Sequence, residues 1–163
     1  MKQITVLSTL VLLAACGGGS GDGASLCAAV GGSVITGNTV AAQTNNLPNM
    51  VDGSLSSFGS ISSVADGQVI ARGNSFNGGN NTGLFVTLPA NTTAASLVVN
   101  TRMNGVVVES ATGPALTITT TASTPASQYV GFNTTQAFNA IEFLFANGGE
   151  YLIFEFCGSA TVR

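Results

Sequence analysis

Residues 138–157 read Phe-Asn-Ala-Ile-Glu-Phe-Leu-Phe-Ala-Asn-Gly-Gly-Glu-Tyr-Leu-Ile-Phe-Glu-Phe-Cys, two apolar runs separated by an Asn-Gly-Gly segment. Each run is short, rich in aromatic and aliphatic side chains, and bounded by residues that favour turns, which is typical of β-strands. We predict one strand over residues 138–145 and another over residues 151–157. A turn at residues 147–149 joins them, because Asn and Gly tolerate positive φ angles.

Similar short segments recur through the body of the chain. The clearest pair flanks Asn104-Gly105, a dipeptide that suits a type I′ hairpin turn. Residues 64–83, rich in Gly, Asn and Asp, are predicted as the longest loop region. No segment after residue 30 has a helical pattern of useful length. The other strands are predicted at residues 58–64, 84–88, 96–102, 106–110, 116–121 and 129–133.

Short strands separated by turn signals favour an antiparallel arrangement over β-α-β units. We therefore predict an all-β fold, an antiparallel β-sandwich. Cleavage after residue 15 would leave 148 of the 163 residues, which is enough for one domain with a sizeable core.

The first fifteen residues have the layout of a secretory signal peptide. Lys2 precedes an apolar run over residues 4–15 that is too short to span a bilayer core comfortably. The run ends in Leu-Ala-Ala-Cys16, which resembles the lipobox of bacterial lipoproteins, in which the cysteine thiol accepts a diacylglycerol. This resemblance implies lipidation of Cys16 with palmitate-type chains and stable anchoring, since two or more acyl chains suffice for it. The alternative is an ordinary signal peptide that is followed by a cysteine by chance.

A Gly/Ser-rich segment follows the cysteine, and such segments behave as flexible tethers. We predict a tether over residues 16–24 and a β-sandwich domain over residues 25–163. In enteric Gram-negative lipoproteins an Asp directly after the cysteine retains the protein at the inner membrane. Gly17 holds that position here, so the expected location is the cell envelope, at the outer membrane or the cell surface.

The charge pattern excludes nucleic acid as a partner. Charged residues make up 7% of the chain, and the formal net charge is −3. Without Lys2, three arginines against seven carboxylates leave a net charge of −4. Binding to phosphate backbones needs clustered cations, which this sequence lacks.

Two cysteines remain once Cys16 is lipidated. Cys27 and Cys157 lie near the two ends of the predicted domain, and an oxidising compartment favours a disulfide between them. The bond would close a loop of roughly 130 residues and stabilise the fold by about 4–5 kcal/mol on the chain-entropy model. The alternative is a pair of buried free thiols.

The absence of histidine from the sequence excludes His-based triads and His metal ligands. Acid–base chemistry would have to use paired carboxylates, as glycosidases do. None of the carboxylates stands in a recognisable catalytic motif, so we predict that the chain is not an enzyme, with a carboxylate-based hydrolase as the remote alternative. The candidates are Asp52, Asp66, Glu109, Glu142, Glu150 and Glu155.

Three stretches carry a resemblance to a known family. Residues 46–58 read Asn-Leu-Pro-Asn-Met-Val-Asp-Gly-Ser-Leu-Ser-Ser-Phe, residues 131–141 read Gly-Phe-Asn-Thr-Thr-Gln-Ala-Phe-Asn-Ala-Ile, and residues 153–158 form an apolar closing strand. Together with the Asn-Gly hairpin they resemble discoidin-like and galactose-binding-like jelly rolls over most of residues 27–158. That resemblance implies a jelly-roll sandwich whose first and last strands are joined by a disulfide.

The same resemblance implies a structural Ca²⁺ site built from oxygen ligands. Its ligands would be Asp52, Ser57 and Glu155 together with backbone carbonyls, an oxygen set that Ca²⁺ prefers. Ser54 departs from the family pattern, which usually has a second Asp there. Without a metal, Asp52-Gly53 would simply form a turn.

The function expected by analogy is recognition or adhesion at the envelope, with a cell-surface glycan as the ligand. The chain has no Trp and two Tyr, so it is poor in the aromatic residues that usually stack on sugars. Arg72, placed on a loop at one end of the sandwich, is the candidate ligand-binding residue, although a solvated arginine is the alternative. The rival function is a structural or assembly lipoprotein that docks an envelope protein through an apolar face or an edge strand.

Overall fold

A computed structural model describes residues 26–37, 43–63, 67–88, 95–113, 116–119, 127–145 and 149–161. The predicted signal peptide, Cys16, the tether and most of the predicted turn at residues 147–149 lie outside the described residues. No helix within the described ranges is long and apolar enough to cross a membrane.

The described residues form mainly strands, with a 3-10 helix over Leu47–Met50. The strands are β1 (Leu26–Ala29), β2 (Ser33–Gly37), β3 (Gln43–Asn45), β4 (Gly59–Ser63), β5 (Gly67–Phe76), β6 (Asn81–Thr87), β7 (Ala95–Met103), β8 (Val106–Ala111), β9 (Thr117–Ile118), β10 (Gln128–Asn133), β11 (Phe138–Phe145) and β12 (Gly149–Thr161).

These strands build two antiparallel sheets. Sheet I has the order β10-β6-β12-β4-β3, and β1 pairs with the far end of β12. Sheet II has the order β2-β5-β11-β7-β8, and β9 pairs with β7. The chain passes from one sheet to the other between β4 and β5, between β5 and β6, and between β6 and β7. It does so again between β10 and β11 and between β11 and β12, as in a jelly roll. The predicted antiparallel β-sandwich is confirmed.

The core lies between the two sheets and is rich in aromatic rings. Phe143 of sheet II packs against Phe156 of sheet I, with ring centroids 5.2 Å apart. Phe145 stacks on Tyr151 at 4.1 Å and joins the sheets a second time. All four side chains are almost fully buried. The two apolar runs at residues 138–157 therefore enter different sheets, and the core forms where they face each other.

The hairpin predicted at Asn104-Gly105 is confirmed. β7 and β8 pair on either side of it, with φ of 52° at Asn104 and 87° at Gly105. Both values lie in the left-handed region that a type I′ turn requires.

The long loop predicted over residues 64–83 is wrong, because β5 and the start of β6 occupy most of it. Val69 and Ala71 enter the core, while Gln68 and Arg72 alternate with them on the outer face. Gly73 permits a close approach between two segments of this chain and does not lie in a loop. A Cβ there would lie 2.2 Å from the carbonyl oxygen of Val30.

The predicted disulfide between Cys27 and Cys157 is confirmed, with the two Cα atoms 5.3 Å apart. It joins β1 to β12, the first strand to the last. Cys157 is fully buried in a small cluster with Phe85 and Phe154, on the face of sheet I that points away from the core.

Candidate functional site

A β-bulge in β12 places an acidic residue outside the core. The register of β12 against β6 shifts between Ile153 and Glu155, although both Ile153 and Phe156 belong to the core. Strict alternation from Ile153 would direct Glu155 into the core and Phe156 away from it. The extra residue, Phe154, reverses this, and bulges commonly redirect side chains in this way.

The loop over residues 51–58 covers the redirected carboxylate. The backbone N–H of Gly53 donates to Oε2 of Glu155 at 2.7 Å, and only 1% of Glu155 is exposed. Gly53 has a φ of 80°, which glycine adopts without strain. The resulting backbone geometry directs its N–H at the carboxylate.

Asp52 organises the same loop. Its Oδ1 accepts from the backbone N–H of Ser54 at 2.9 Å, and its Oδ2 accepts from the Ser57 hydroxyl at 2.7 Å. The hydroxyl groups of Ser54 and Ser56 lie 2.8 Å apart. The structure therefore brings Asp52, Ser57 and Glu155, the three side chains implied by the sequence resemblance, to one place in the fold.

Burial dominates the electrostatics of this site. Removal from water raises the pKa of Glu155 to about 8; the hydrogen bond from Gly53 works against this, and the negative charge of Asp52 adds to it. The second carboxylate oxygen, Oε1, is buried without a hydrogen-bond partner in the described part of the chain. Unpartnered buried carboxylate oxygens are costly, so this atom calls for a proton or a cation.

The site fits a hard cation better than a soft one. Two carboxylates and a hydroxyl are oxygen donors of the kind that Ca²⁺ takes, while cysteine and histidine are absent from the site. Nowhere in the described ranges do three or more His, Cys, Asp or Glu side chains form a metal-binding group. Backbone carbonyls would therefore have to complete the coordination shell.

The two carboxylates do not form a hydrolytic pair. A general acid has to reach the substrate atom that it protonates. Glu155 lies under the loop with 1% exposure, and one of its oxygens is already bound to Gly53. Its raised pKa follows from enclosure by the loop and not from an open cleft.

An exposed aromatic ring lies on the same loop. Phe58 is 43% exposed, and its ring rests against Phe154 with centroids 5.4 Å apart. The side-chain amide of Asn49 donates to the Phe58 carbonyl at 3.2 Å. Leu55 is also exposed. We name the exposed side chains of Leu55 and Phe58 with the hydroxyl groups of Ser54 and Ser56 the loop platform.

Arg72 lies elsewhere than predicted. It is exposed on β5 of sheet II, whereas the loop over residues 51–58 packs against β12 of sheet I. The predicted loop position of Arg72 is wrong, because Gly73 and Asn74 continue β5 although their composition is typical of a loop. A role of Arg72 in ligand binding stays a prediction.

Sequence reasoning missed a polar network on the outer face of sheet II. Glu142 is 1% exposed and accepts from Arg102 Nε at 2.9 Å and from Asn100 Nδ2 at 2.8 Å. The side-chain amide of Gln68 and Nη2 of Arg102 donate to the same carboxylate. The available signal was Glu142 itself, a lone acid within an apolar strand. Its partners come from β5 and β7, which no local pattern connects to it.

No protein-family model matches this chain, and no curated protein matches it. Among solved structures it is similar to the family 32 carbohydrate-binding module of C. perfringens NanJ in complex with galactose, with a TM-score of 0.44 and 13% identity over 76% of this chain and 90% of that one. It is also similar to the family 32 module of AlyQ in complex with 4,5-unsaturated mannuronic acid, with a TM-score of 0.43 and 15% identity over 75% of this chain and 95% of that one.

A third similar structure is the exo-beta-1,3-galactanase of Phanerochaete chrysosporium with galactose. Its TM-score is 0.43 at 16% identity, and the match covers 83% of this chain but 30% of the galactanase. The sugars named for these three structures are ligands of those proteins. The fold of this chain is defined by its own two sheets.

Proposed function

We propose that this chain is a lipid-tethered, non-catalytic recognition module that binds glycan through the loop platform. The observation that carries the proposal is the exposed ring of Phe58 on a loop that is held from below. Phe154 supports the ring, and the Gly53–Glu155 hydrogen bond ties the loop to β12. A ligand therefore meets a surface that is already ordered, which lowers the entropic cost of binding.

The chemistry of the platform suits a sugar. Sugars present apolar C–H faces and many hydroxyl groups, and protein sites for them combine apolar or aromatic surface with a few placed polar groups. Phe58 and Leu55 supply the apolar surface. Ser54 and Ser56 supply hydroxyl groups that both donate and accept hydrogen bonds.

We further propose that Ca²⁺ stabilises this loop, held by Asp52, Ser57, Glu155 and backbone carbonyls. The cation would supply positive charge to a pair of neighbouring carboxylates and a partner to the buried Oε1 of Glu155. Asp52 and Ser57 lie on the loop and Glu155 on β12. Joint coordination by them would fix the position of Phe58 relative to sheet I.

The anchoring proposal rests on the N-terminal sequence. Lipidated Cys16 lies ten residues before Leu26, where β1 begins, and the intervening segment is rich in glycine. Leu26 pairs with Thr161, so β1 begins at the end of the domain where β12 ends. Such a layout leaves the other surfaces of the domain free to face away from the membrane, at the outer membrane or the cell surface.

The proposal is tested with an array of cell-surface glycans and the purified full-length chain in detergent, in Ca²⁺ and in EDTA. We expect binding that is lost in Phe58→Ala and weakened by EDTA. Val106→Ala is the matched control, because Val106 is the most exposed of the large apolar side chains in the described ranges and lies on the β7–β8 hairpin. Glycan binding that persists in Phe58→Ala would refute the platform.

A second candidate function is docking of an envelope protein. Val106 and Val107 are 67% and 42% exposed at the start of β8, which pairs on one side with β7 in the described part of the fold. Exposed apolar side chains on an edge strand are suited to partner binding. Crosslinking in intact cells separates the candidates, because a Val106→Ser, Val107→Ser variant would lose a protein partner and keep glycan binding.

A further inference from the structure

The β7–β8 hairpin carries two exposed apolar side chains directly after its turn at Asn104-Gly105. Val106 is 67% exposed and Val107 42%, and Val106 is the most exposed large apolar side chain within the described ranges. Because the two residues are adjacent in one strand, their side chains point to opposite faces of it. Both faces of the hairpin therefore end in an apolar side chain. We name the exposed side chains of Val106 and Val107 the hairpin tip.

Contacts between the two sheets show in which direction the hairpin points. Phe143 of β11 packs against Phe156 of β12. Nearer the start of β11, Phe138 stacks on Phe76, and the ring of Phe76 lies against Gly158 of β12. The start of β11 and the last residues of β12 therefore lie at the same end of the sandwich.

The hairpin tip and the first residue of β1 both lie at this end. The backbone N–H of Asn104 donates to Oδ1 of Asn139 at 3.0 Å, so the hairpin turn lies beside the start of β11. β12 continues to Thr161, which pairs with Leu26, the first residue of β1. The start of β1 and the two valines therefore share one end of the domain.

The proposed lipid anchor is close to this end in the sequence. Cys16 lies ten residues before Leu26, and a fully extended segment of that length spans at most roughly 35 Å. If Cys16 carries the lipid, the bilayer surface is therefore never farther than this from the start of β1. A short flexible tether gives an effective concentration on the order of millimolar, so a contact that is too weak to bring a free domain to a membrane still forms.

The small size of the hairpin tip favours a lipid surface over a protein partner. Beyond the valines, β8 is already engaged by the connection between β10 and β11. The side-chain amide of Gln136 donates to the Val108 carbonyl at 2.9 Å, and the backbone N–H of Thr135 donates to Glu109 at 2.8 Å. A standard protein interface buries roughly 800 Å² on each partner, far more than two valine side chains supply. A tethered domain needs much less.

The described carboxylates do not oppose contact between this end and an anionic bilayer. Glu142 is paired with Arg102, and Glu109 accepts three hydrogen bonds from the connection between β10 and β11. The exposed Glu150 is near the start of β12, at the opposite end of the domain. Repulsion from anionic headgroups is therefore weakest where the hairpin tip lies.

We propose that the hairpin tip is a lipid-contact site, at which Val106 and Val107 enter the interfacial region of the bilayer that holds the anchor. The proposal rests on the proposed lipidation of Cys16, whereas the position and the exposure of the two valines do not depend on it. A tether alone leaves the domain free to rotate, and the second contact fixes its orientation. The loop platform lies against Phe154, before β12 reaches this end, so it stays open to ligand.

NMR of the full-length lipidated chain in nanodiscs tests the proposal. Discs of phosphatidylethanolamine and phosphatidylglycerol are compared with discs that also contain a nitroxide-labelled lipid. We expect the nitroxide to broaden the backbone amides of residues 104–107 and to leave those of residues 34–36 sharp. Ile35 is the matched position, because it is 39% exposed and lies on β2, the other edge strand of sheet II. Added salt should leave this contrast unchanged, since it screens charge contacts and not apolar ones.

A pair of double variants tests the role of the valines. Val106→Ser with Val107→Ser keeps the anchor and removes the apolar tip, so the broadening at residues 104 and 105 should fall to the level of residues 34–36. Val106→Leu with Val107→Leu is the matched control and should keep the broadening. Equal broadening at the two positions in the wild type, or a contrast that persists in the serine variant, would overturn the proposal.

The same samples separate this proposal from the one on which it rests. A chain whose Cys16 carries no lipid by mass spectrometry would overturn the anchor and the lipid contact together. A lipidated chain with uniform broadening would overturn the lipid contact alone. Crosslinking of the hairpin tip to an envelope protein in intact cells, without contrast in the nanodiscs, would assign the tip to a protein partner and would also overturn the proposal.

Discussion

The backbone N–H of Gly53 donates to the Glu155 carboxylate at 2.7 Å and joins two positions that are 102 residues apart in the chain. The bond holds the loop over residues 51–58 on β12. It occupies one oxygen of Glu155 and leaves Oε1 without a partner among the described residues. The loop is thus held by a group whose charge state depends on pH.

The first prediction concerns pH. Burial raises the pKa of Glu155 to about 8, from an ordinary value of 4.5 for a glutamate. Between these two values the folded protein holds a proton that the unfolded chain has lost. The contribution of Glu155 to the free energy of unfolding is therefore fully present below pH 4.5 and declines as the pH rises to 8. Each pKa unit corresponds to about 1.4 kcal/mol. Denaturant unfolding in EDTA from pH 5 to about 9 should show this decline.

Glu155→Gln should remove that part of the decline, because the amide does not titrate. Glu150→Gln is the control, since Glu150 is exposed near the start of the same strand. Asp52→Asn should shift the decline to lower pH, because the Asp52 charge contributes to the raised pKa. Parallel pH profiles for the wild type and Glu155→Gln would contradict the assignment.

The second prediction concerns Ca²⁺. Millimolar Ca²⁺ should raise the melting temperature by several degrees, since a ligand of the folded state stabilises it by mass action. Asp52→Ala should abolish the rise and Ser57→Ala should reduce it, whereas Glu150→Gln should keep it. The rise should grow with pH up to about 8, because a cation competes with the proton on Glu155. If Ca²⁺ raised the melting temperature at no pH, the Ca²⁺ proposal would be refuted and the loop would be held by hydrogen bonds alone.

Much of this architecture could be predicted from local patterns. The strands at both ends of the 138–157 stretch, the hairpin at Asn104-Gly105 and the disulfide between Cys27 and Cys157 follow from features that lie next to each other in the sequence or from a count of cysteines. Turn chemistry and apolar alternation act over a few residues, so they can be recognised without knowledge of the fold.

Contacts between distant strands could not be predicted in this way. The bulge that directs Glu155 outward depends on the register of β12 against β6, and the partners of Glu142 depend on the register of β11 against β5 and β7. Register is set when sheets assemble and is not encoded in a single strand. Arg72 was misplaced for a similar reason, since the backbone N–H of Asn74 bonds to the carbonyl of Val30, a residue distant in the sequence, and β5 continues to Phe76.

The third prediction concerns the buried ion pair. Arg102→Met should destabilise the fold by about 3 kcal/mol, because it leaves the Glu142 charge buried without its cation. Arg102→Met with Glu142→Leu should recover most of that loss, since both charges are then gone. Arg72→Met is the matched control, because it removes an exposed arginine beside the same Ala140 and should change stability by less than about 0.5 kcal/mol. A double variant no more stable than Arg102→Met would refute this account.

The fourth prediction concerns the anchor. In a Gram-negative host, Cys16→Ser should abolish incorporation of labelled palmitate and release the protein from the membrane fraction, because one residue accepts all the lipid. Gly17→Asp should keep the label and retain the protein at the inner membrane where the host follows the Asp sorting rule. Membrane retention of Cys16→Ser would show that another feature of the chain holds it there.

The fifth prediction concerns the disulfide, which links residues 130 positions apart. Replacing Cys27 and Cys157 by Ala should lower the free energy of unfolding by about 4–5 kcal/mol, because the bond restricts the unfolded chain. The denaturant m-value should rise in the same variant, because the unfolded chain without the crosslink exposes more surface. Cys16→Ala is the control, since it removes a cysteine that lies before β1 and should leave both quantities unchanged.

The m-value separates two accounts of the same loss. The buried Cys157 also packs against Phe85 and Phe154, so its replacement removes apolar contacts on the outer face of sheet I. A loss of contacts lowers the denaturation midpoint and leaves the m-value as it was, whereas a loss of the crosslink changes both. A small loss of stability with an unchanged m-value would show that the bond contributes mainly through local packing. A larger loss with a raised m-value would show that it acts on the unfolded chain, by holding the first strand to the last.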